Sequence, residues 1–521
     1  MRKAFWIPAG AVFLSLILLL WGFTAWPGTR GADIPLSFRD PLKEDTPPPG
    51  WSTLENPYDG FSLSHPGDWK VEILPGVATI LCKPGRSKLT IWAQPLGKKS
   101  PEEYVFYSNR SLEKGWATIR LKDKKCWRSG AFKIWKFDWY REPFSSEDFP
   151  FYREYHLFCP SKGTVYTFML KTKEGDFSDM AALLDRILSS FRPSSPTPLN
   201  YPPAPEVRRQ VRLQGKNLVL EIPEDKVLWG ILNPRPLESQ EFFLENLVKL
   251  EEKLDFKFRF LITYASWNTE FREEALRSLY RDGRVLMIAL QPWWHGDKGD
   301  TTLLDLLRGK FDDRLRSWAR LFKSLEEPVF VRFGNEMNGD WSTWCAWYYG
   351  KDADLFKEAW HRVYKIFQEE GASNVVFVFN PHDRAYPDFK WNHYILYYPG
   401  DKEADWIGLT GYNNGTSYPA DRWRGFDEIY DPLYREYMYY FKDKPFMITE
   451  FACNEVGGNK AAWIEECFAR LPHYPNIKIA VWFNQVDGKW LYPIDSSPES
   501  FQAFKKGLTL PAYRFSGVQF K

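Results

Sequence analysis

The chain has 521 residues, and its 69 Lys and Arg nearly balance 67 Asp and Glu, for a net charge of +2. It therefore lacks the concentrated basic field of a nucleic-acid protein, and no nucleic-acid partner is expected. With 44% hydrophobic and 26% charged residues, neither wholesale disorder nor a multi-span membrane protein fits. Aromatic residues reach 18%. Rings with an apolar face and a polar edge suit ligands that are part apolar and part hydroxyl, as sugars are.

In chain order, Arg2 and Lys3 precede an uncharged apolar run from Ala4 to Trp26, long enough to cross a bilayer as a helix. Residues 1–30 read as a signal peptide or a membrane anchor. An uncleaved anchor is favoured, because the nearest small-x-small pattern ends only at Ala32. Either way the remainder is expected outside the cytoplasm, anchored by this helix or secreted. Residues 31–50 form a linker that includes the proline-rich Pro41–Gly50.

Residues 51–192 read as strands closed by a helix. Ala131–Tyr140 and Gly163–Thr172 have strand character, and Met180–Phe191 has helical spacing. The pattern suggests a smaller α+β domain with a half-covered antiparallel sheet. Its opening Gly60-Phe61-Ser62, Pro66 and Trp69 resembles the start of PsbP-like (Mog1-type) domains. A second proline-rich stretch, within residues 193–215, reads as a semi-rigid spacer.

From residue 216 to 515, strand and helix alternate. Strands are expected over Val227–Leu232, Phe256–Ala265, Val285–Pro292, Pro328–Phe333, Val375–Asn380, Ala404–Tyr412, Pro445–Glu450 and Ile477–Phe483. Helices are expected over Ser239–Leu254, Glu270–Arg281, Leu303–Leu325, Ala353–Glu370, Asp427–Phe441, Lys460–Leu471 and Pro498–Leu508. Short apolar strands without alternation belong to parallel sheets covered on both faces, and eight such units fit a (β/α)8 TIM barrel of the α/β class. No glycine-rich nucleotide-binding loop follows any strand, which weakens an open doubly wound sheet.

Barrel active sites lie at the carboxyl ends of the strands. The fourth strand ends in Arg332-Phe-Gly-Asn335-Glu336 and the seventh in Thr449-Glu450-Phe451. A single glutamate at a strand end is more readily a cap or half of a salt bridge. Two converging on one rim are what glycoside hydrolysis requires, one to protonate the leaving oxygen and one to attack or to activate water. Aromatic and amide groups surround them at other strand ends and loops: Trp293, Trp294 and His295, Trp341, Tyr412 and Trp482.

These pieces resemble glycoside hydrolase family 26, a clan A family of retaining barrel enzymes best known as β-mannanases. The resemblance runs from about Val227 to Leu508 and rests on Arg332–Trp341, Tyr398–Asp401, Asp405–Tyr412, Lys444–Phe451 and Ala480–Asn484. It implies Glu336 as acid/base, Glu450 as nucleophile, Tyr412 as the nucleophile's orienting partner, and Trp341 and Trp482 as sugar-stacking rings. Arg332, Asn335, Trp293 and His295 complete the expected substrate-binding set. Many family members carry histidine before the acid/base; Asn335 stands there in this chain, a departure that bears on the 2-hydroxyl, the group distinguishing mannose from glucose. The expectation is a retaining endo-β-glycosidase, first of β-1,4-mannan. The alternatives are a β-glucanase or xylanase of the same fold, or a non-catalytic cell-surface polysaccharide-binding protein.

Six cysteines show no C-x-x-C spacing and the seven histidines no H-E-x-x-H, so neither a metal site nor a cofactor is expected. Most of the thiols read as buried, with room for one disulfide in each half of the chain. The expected partners are a polysaccharide and, through the first residues, a membrane; a monomer is expected.

Overall fold

The computed structural model describes residues 48–232, 244–293 and 301–521. The expected anchor, most of the first linker, the start of the helix expected from Ser239, and Trp294 and His295 lie outside the described residues. Among those described, no helix is long and apolar enough to cross a membrane.

The eight expected strands close into one parallel barrel, in chain order Leu228–Leu232, Phe260–Ala265, Val285–Leu290, Val329–Phe333, Val375–Phe379, Trp406–Thr410, Phe446–Phe451 and Ile477–Trp482, with the last pairing the first. Nearly every strand residue is buried. Branched and aromatic side chains fill both the barrel's interior and its contact with the helices, the burial that a parallel sheet demands. Two connections differ from expectation. The stretch Leu303–Leu325 is two helices, Thr302–Leu307 and Asp312–Leu325, broken at Gly309, whose φ of +85° a continuous helix does not allow. The fifth connection carries two short 3₁₀ turns, Lys390–Asn392 and Tyr394–Tyr397.

Residues 70–172 contribute a seven-stranded antiparallel sheet in the spatial order Lys70–Leu74, Ala78–Lys83, Ser87–Pro95, Thr164–Thr172, Phe151–Cys159, Phe132–Tyr140, Arg120–Ser129. The helix Phe177–Ser189 packs Leu184, Ile187 and Leu188 against Leu89, Ile91, Phe168 and Leu170 on one face. The sheet is not half-covered, as its pattern suggests. Thr164–Thr172 is buried along its whole length, because the opposite face, with Trp92, Trp135, Phe137, Trp139 and Tyr152, runs into the core of the barrel unit.

That contact is specific. Trp139 stacks on Tyr152 with ring centroids 3.7 Å apart and lies over Gly350, where any Cβ would collide with the indole and where φ is +63°. Tyr152 donates to Asp352 at 2.7 Å, Lys171 pairs with Asp352 at 2.9 Å, and Lys88 pairs with Asp354 at 2.7 Å. All three barrel residues follow the fourth strand. The proline-rich stretch after residue 193 first follows the sheet domain, where Ser194 and Thr197 N–H donate to Gly60 O at 2.8 Å and Pro57 O at 2.7 Å, and then reaches the barrel, where the Tyr201 hydroxyl donates to Glu436 at 3.1 Å. A small sheet of Val211–Gln214, Leu218–Ile222 and Val518–Phe520, outside the sequence reading, joins the two ends of the barrel unit. Asn217 N–H donates to Glu327 at 2.8 Å, just ahead of the fourth strand and therefore at the end of the barrel opposite the carboxyl termini of the strands. All six cysteines are free thiols; Cys126 is exposed and Cys82 half-buried, and the others are buried.

Candidate active site

Glu450 sits near the end of the seventh strand with its carboxylate held from three directions. Arg332 from the fourth strand and Tyr264 from the second both donate to Oε1, and the Tyr412 hydroxyl donates to Oε2 at 2.9 Å. A carboxylate accepts and never donates, so three donors complement its charge. Burial opposes the Arg332 charge, but the Glu450 carboxylate, with Tyr264 and Glu336, outweighs it and holds the guanidinium above its ordinary value. Burial, aided by the Glu450 charge, pushes both tyrosine hydroxyls well above theirs, so they remain donors.

Glu336 follows the fourth strand on a constrained backbone. Gly334 has φ +54° and its Cα faces Phe356 so closely that a Cβ would lie 2.6 Å from the ring. Glu336 itself has φ +54°, an uncommon conformation for a residue with a side chain and one that recurs at functional sites. Its N–H donates to Asn380 O at 2.8 Å, and its carboxyl accepts from Trp341 Nε1 at 2.9 Å. Burial first, then the Glu450 charge, raises the Glu336 pKa against the opposing pull of His382 and Arg332. The two glutamates thus share Arg332 and each other's field in unlike settings: one with a single neutral donor and a raised pKa, the other with three donors, one of them cationic.

The remaining expected residues divide. Tyr412 meets Glu450, and the partly exposed Trp341 indole lies beside Glu336 and packs edge-on against His382 at 5.0 Å. Asn335 is nearly buried; Gln291 reaches its Oδ1 at 3.4 Å, and Trp293 Nε1 donates to Gln291 at 3.2 Å. Trp293 therefore steadies this amide chain. His295 lies outside the described residues.

Two expectations are corrected. Arg332 is fully buried and bonds Asn380 and Glu450, so it positions the carboxylate from below and does not reach a substrate. Trp482 is fully buried and points outward, against Phe504 and Trp463 of the helix layer. In a strand the side chains alternate, and the next residue, Phe483, turns to the site, 5.7 Å edge-on from Tyr412. Beside it Tyr492 stacks on Tyr412 at 5.3 Å and Trp490 on Tyr492 at 6.1 Å.

Sequence reasoning missed Tyr264, Asn380, His382 and Asp487. The first three lie in or just after strands, where the carboxyl-end rule points. Asp487 lies in the small hairpin Val486–Asp487 and Trp490–Leu491. It is 6% exposed, and its Oδ1 has no hydrogen-bond partner. Burial, then the charges of Glu450 and Glu336, raise its pKa to about 6. Like charges raise each other's pKa, so an ionised Asp487 would work against ionisation of the Glu336 carboxyl that acts on it. An Asp487→Asn variant is expected to lose activity at lower pH than the parent, the alkaline limb of kcat/KM moving down by about half a unit. An unmoved limb would separate Asp487 from the pair. Among the described residues, no group of three or more His, Cys, Asp or Glu side chains could hold a metal ion.

A closed parallel barrel that brings two carboxyls in unlike settings to the carboxyl ends of its fourth and seventh strands holds the pair of groups that glycoside hydrolysis requires. Residues 297–436 match the model of glycosyl hydrolase family 26. Endoglucanase H of Acetivibrio thermocellus is 30% identical over 262 residues, which are 49% of this chain; the match spans 27% of that relative's length. Among solved structures, the chain is similar to a family 26 β-mannanase from Bacteroides ovatus (17% identity, 56% of this chain and 91% of that one, TM-score 0.43). It is also similar to a mannanase from Bacillus subtilis (20% identity, 54% and 84%, TM-score 0.39).

Proposed function

We propose that the chain is a retaining endo-β-glycosidase that hydrolyses β-1,4-mannan by double displacement. The observation that carries this reading is the contrast between the two glutamates. Glu450, gripped by Arg332, Tyr264 and Tyr412, is the nucleophile that attacks the anomeric carbon. Glu336, whose pKa burial and the neighbouring carboxylate raise, is the acid. It gives its proton to the leaving oxygen and then takes one from the water that releases the sugar. The unlike hydrogen-bond settings of the two carboxyls support this division of roles, and retention requires the two carboxyls about 5–5.5 Å apart.

Two observations favour a second reading, hydrolysis of a β-glucan: Asn335 in place of histidine before the acid/base, and the likeness to an endoglucanase. Reducing-end release from mannan, lichenan and xylan by the full chain separates the readings. Mannan is expected to be cleaved fastest, with newly formed ends in the β configuration. Faster cleavage of lichenan would transfer the assignment to glucan, and α-configured ends would overturn the retaining mechanism.

A further inference from the structure

We infer that the sheet domain supplies part of the substrate cleft: an aromatic platform that binds the leaving-group end of a long β-linked polysaccharide. The inference rests on the reading of the barrel as a polysaccharide hydrolase and adds a subsite to it.

The sheet domain meets the catalytic face. It touches loops that follow barrel strands, which lie at the carboxyl end of a barrel by construction. Arg308, between the third strand and its following long helix, reaches Glu142 at 3.2 Å. Lys351, after the fourth strand, bonds Ser108 O at 3.1 Å. Lys390 N–H, after the fifth, donates to Gln94 at 2.8 Å. Glu336 follows the fourth of these strands. The sheet domain therefore borders the acid's side of the cleft, where the sugars beyond the cleaved bond must lie.

At this border the two units build one aromatic surface. Trp347 from the barrel donates its Nε1 to Tyr107 O at 3.1 Å and stacks on the Tyr107 ring at 6.4 Å with 16° between planes. Trp116 packs on Trp347 at 5.3 Å and on Tyr348 at 5.1 Å. The surface continues to the acid itself. The Tyr348 hydroxyl donates to Asp340 O at 2.7 Å, and the neighbouring residue, Trp341, donates to Glu336. Tyr107 is 45% exposed and its neighbour Phe106 is 54% exposed. Rings in excess of what a core needs, open to solvent and continuous with a sugar site, have the chemistry to stack on pyranose faces.

The backbone supplies an independent sign. Trp116 is followed by Ala117 at φ +50° and Thr118 at φ +61°, two successive side-chain-bearing residues in a region such residues avoid. Strain of this kind persists where the surroundings enforce it, and it clusters at binding sites. Here it presents the indole to the barrel loop.

The test compares kcat/KM on soluble galactomannan and lichenan with kcat/KM on an aryl β-mannobioside and an aryl β-cellobioside, whose leaving group ends at the first subsite beyond the cleaved bond. Trp116→Ala and Tyr107→Ala, in the full chain, are expected to lower the polymer-to-aryl ratio about fivefold each, and the pair further. The Tyr107 ring is exposed enough that its loss tests the platform even if Trp116→Ala does not fold. A ratio within twofold of the parent in all variants overturns the platform, including the case where both activities fall together. Retardation of each protein in native gels containing the same polymers separates this inference from the one beneath it. A parent that hydrolyses nothing, yet is retarded through Trp116 and Tyr107, sinks the hydrolase and keeps the platform. Hydrolysis through Glu336 and Glu450 with an unmoved ratio sinks the platform alone.

Discussion

In the proposed double displacement, replacing Glu450 by Gln is expected to lower kcat on the polysaccharide on the order of 10⁴-fold or more, because no covalent intermediate forms without the carboxylate. Gln keeps an oxygen for Arg332, whose buried guanidinium would otherwise lose its anionic partner; the loss is therefore read against a folded protein. Replacing Glu336 by Ala has a different signature. Turnover of polysaccharide falls by about 10²–10⁴, the usual worth of a positioned acid. The fall is much smaller on a dinitrophenyl glycoside, whose leaving group departs without a proton. Azide then restores turnover and yields a β-glycosyl azide, since an anion that needs no deprotonation enters the space the base has left. The pH dependence carries a sign. Glu336 must be protonated for the first step, and its pKa is raised, so activity persists above the ordinary carboxyl range and falls as pH rises through the Glu336 pKa. The alanine variant loses that alkaline limb. Both variants retaining activity within tenfold of the parent would mean that these carboxyls do not perform the reaction.

The barrel is legible in the sequence because parallel strands buried on both faces are short apolar runs, and all eight of them are distinct. The same property hides the direction of each side chain. In Ile477–Trp482 apolar residues occupy both parities, so nothing local shows that Phe483 and not Trp482 turns to the site. Glu336 and Glu450 are legible only together: either alone reads as a cap or half of a salt bridge, but two carboxyls ending the fourth and seventh apolar runs converge on one rim. Tyr264 is not, since tyrosine in a strand looks like core, and its role depends on a carboxylate 186 positions away. Asp487 belongs to a hairpin too short to show a period. The contact between the two units left the weakest trace. A proline-rich segment reports that it is extended, not what it lies against, and pairs such as Lys171 with Asp352 meet only through the tertiary fold.

Replacing Lys351 by Met is expected to destabilise the protein by about 3–5 kcal/mol, the cost of leaving a buried charge without its partner. Lys351 is buried at φ +68° in the loop after the fourth barrel strand. Its ammonium bonds Ser108 O and Asn109 Oδ1 and pairs with Glu154 at 3.1 Å. Glu154 and His156 are both fully buried in the sheet domain. Burial works against the Glu154 charge, but Lys351 and His156 overcome it and hold its pKa at about 2. A carboxyl depressed in this way stabilises the fold above its unfolded pKa of about 4.3, and that contribution is lost as pH falls toward 2. Without Lys351 only His156 opposes the burial of Glu154, and its pKa rises. The difference between parent and variant in denaturant titrations is therefore largest near neutral pH and shrinks on acidification. Glu154→Gln added to Lys351→Met removes the stranded charge and should recover a large part of the loss. Calorimetry reads the same contact as cooperativity. The parent is expected to unfold in one transition, and the single variant in two, since the charge cluster couples the sheet domain to the barrel. An unchanged single transition in Lys351→Met would place the coupling elsewhere, in the apolar contact of Trp139 with Gly350 and its surroundings.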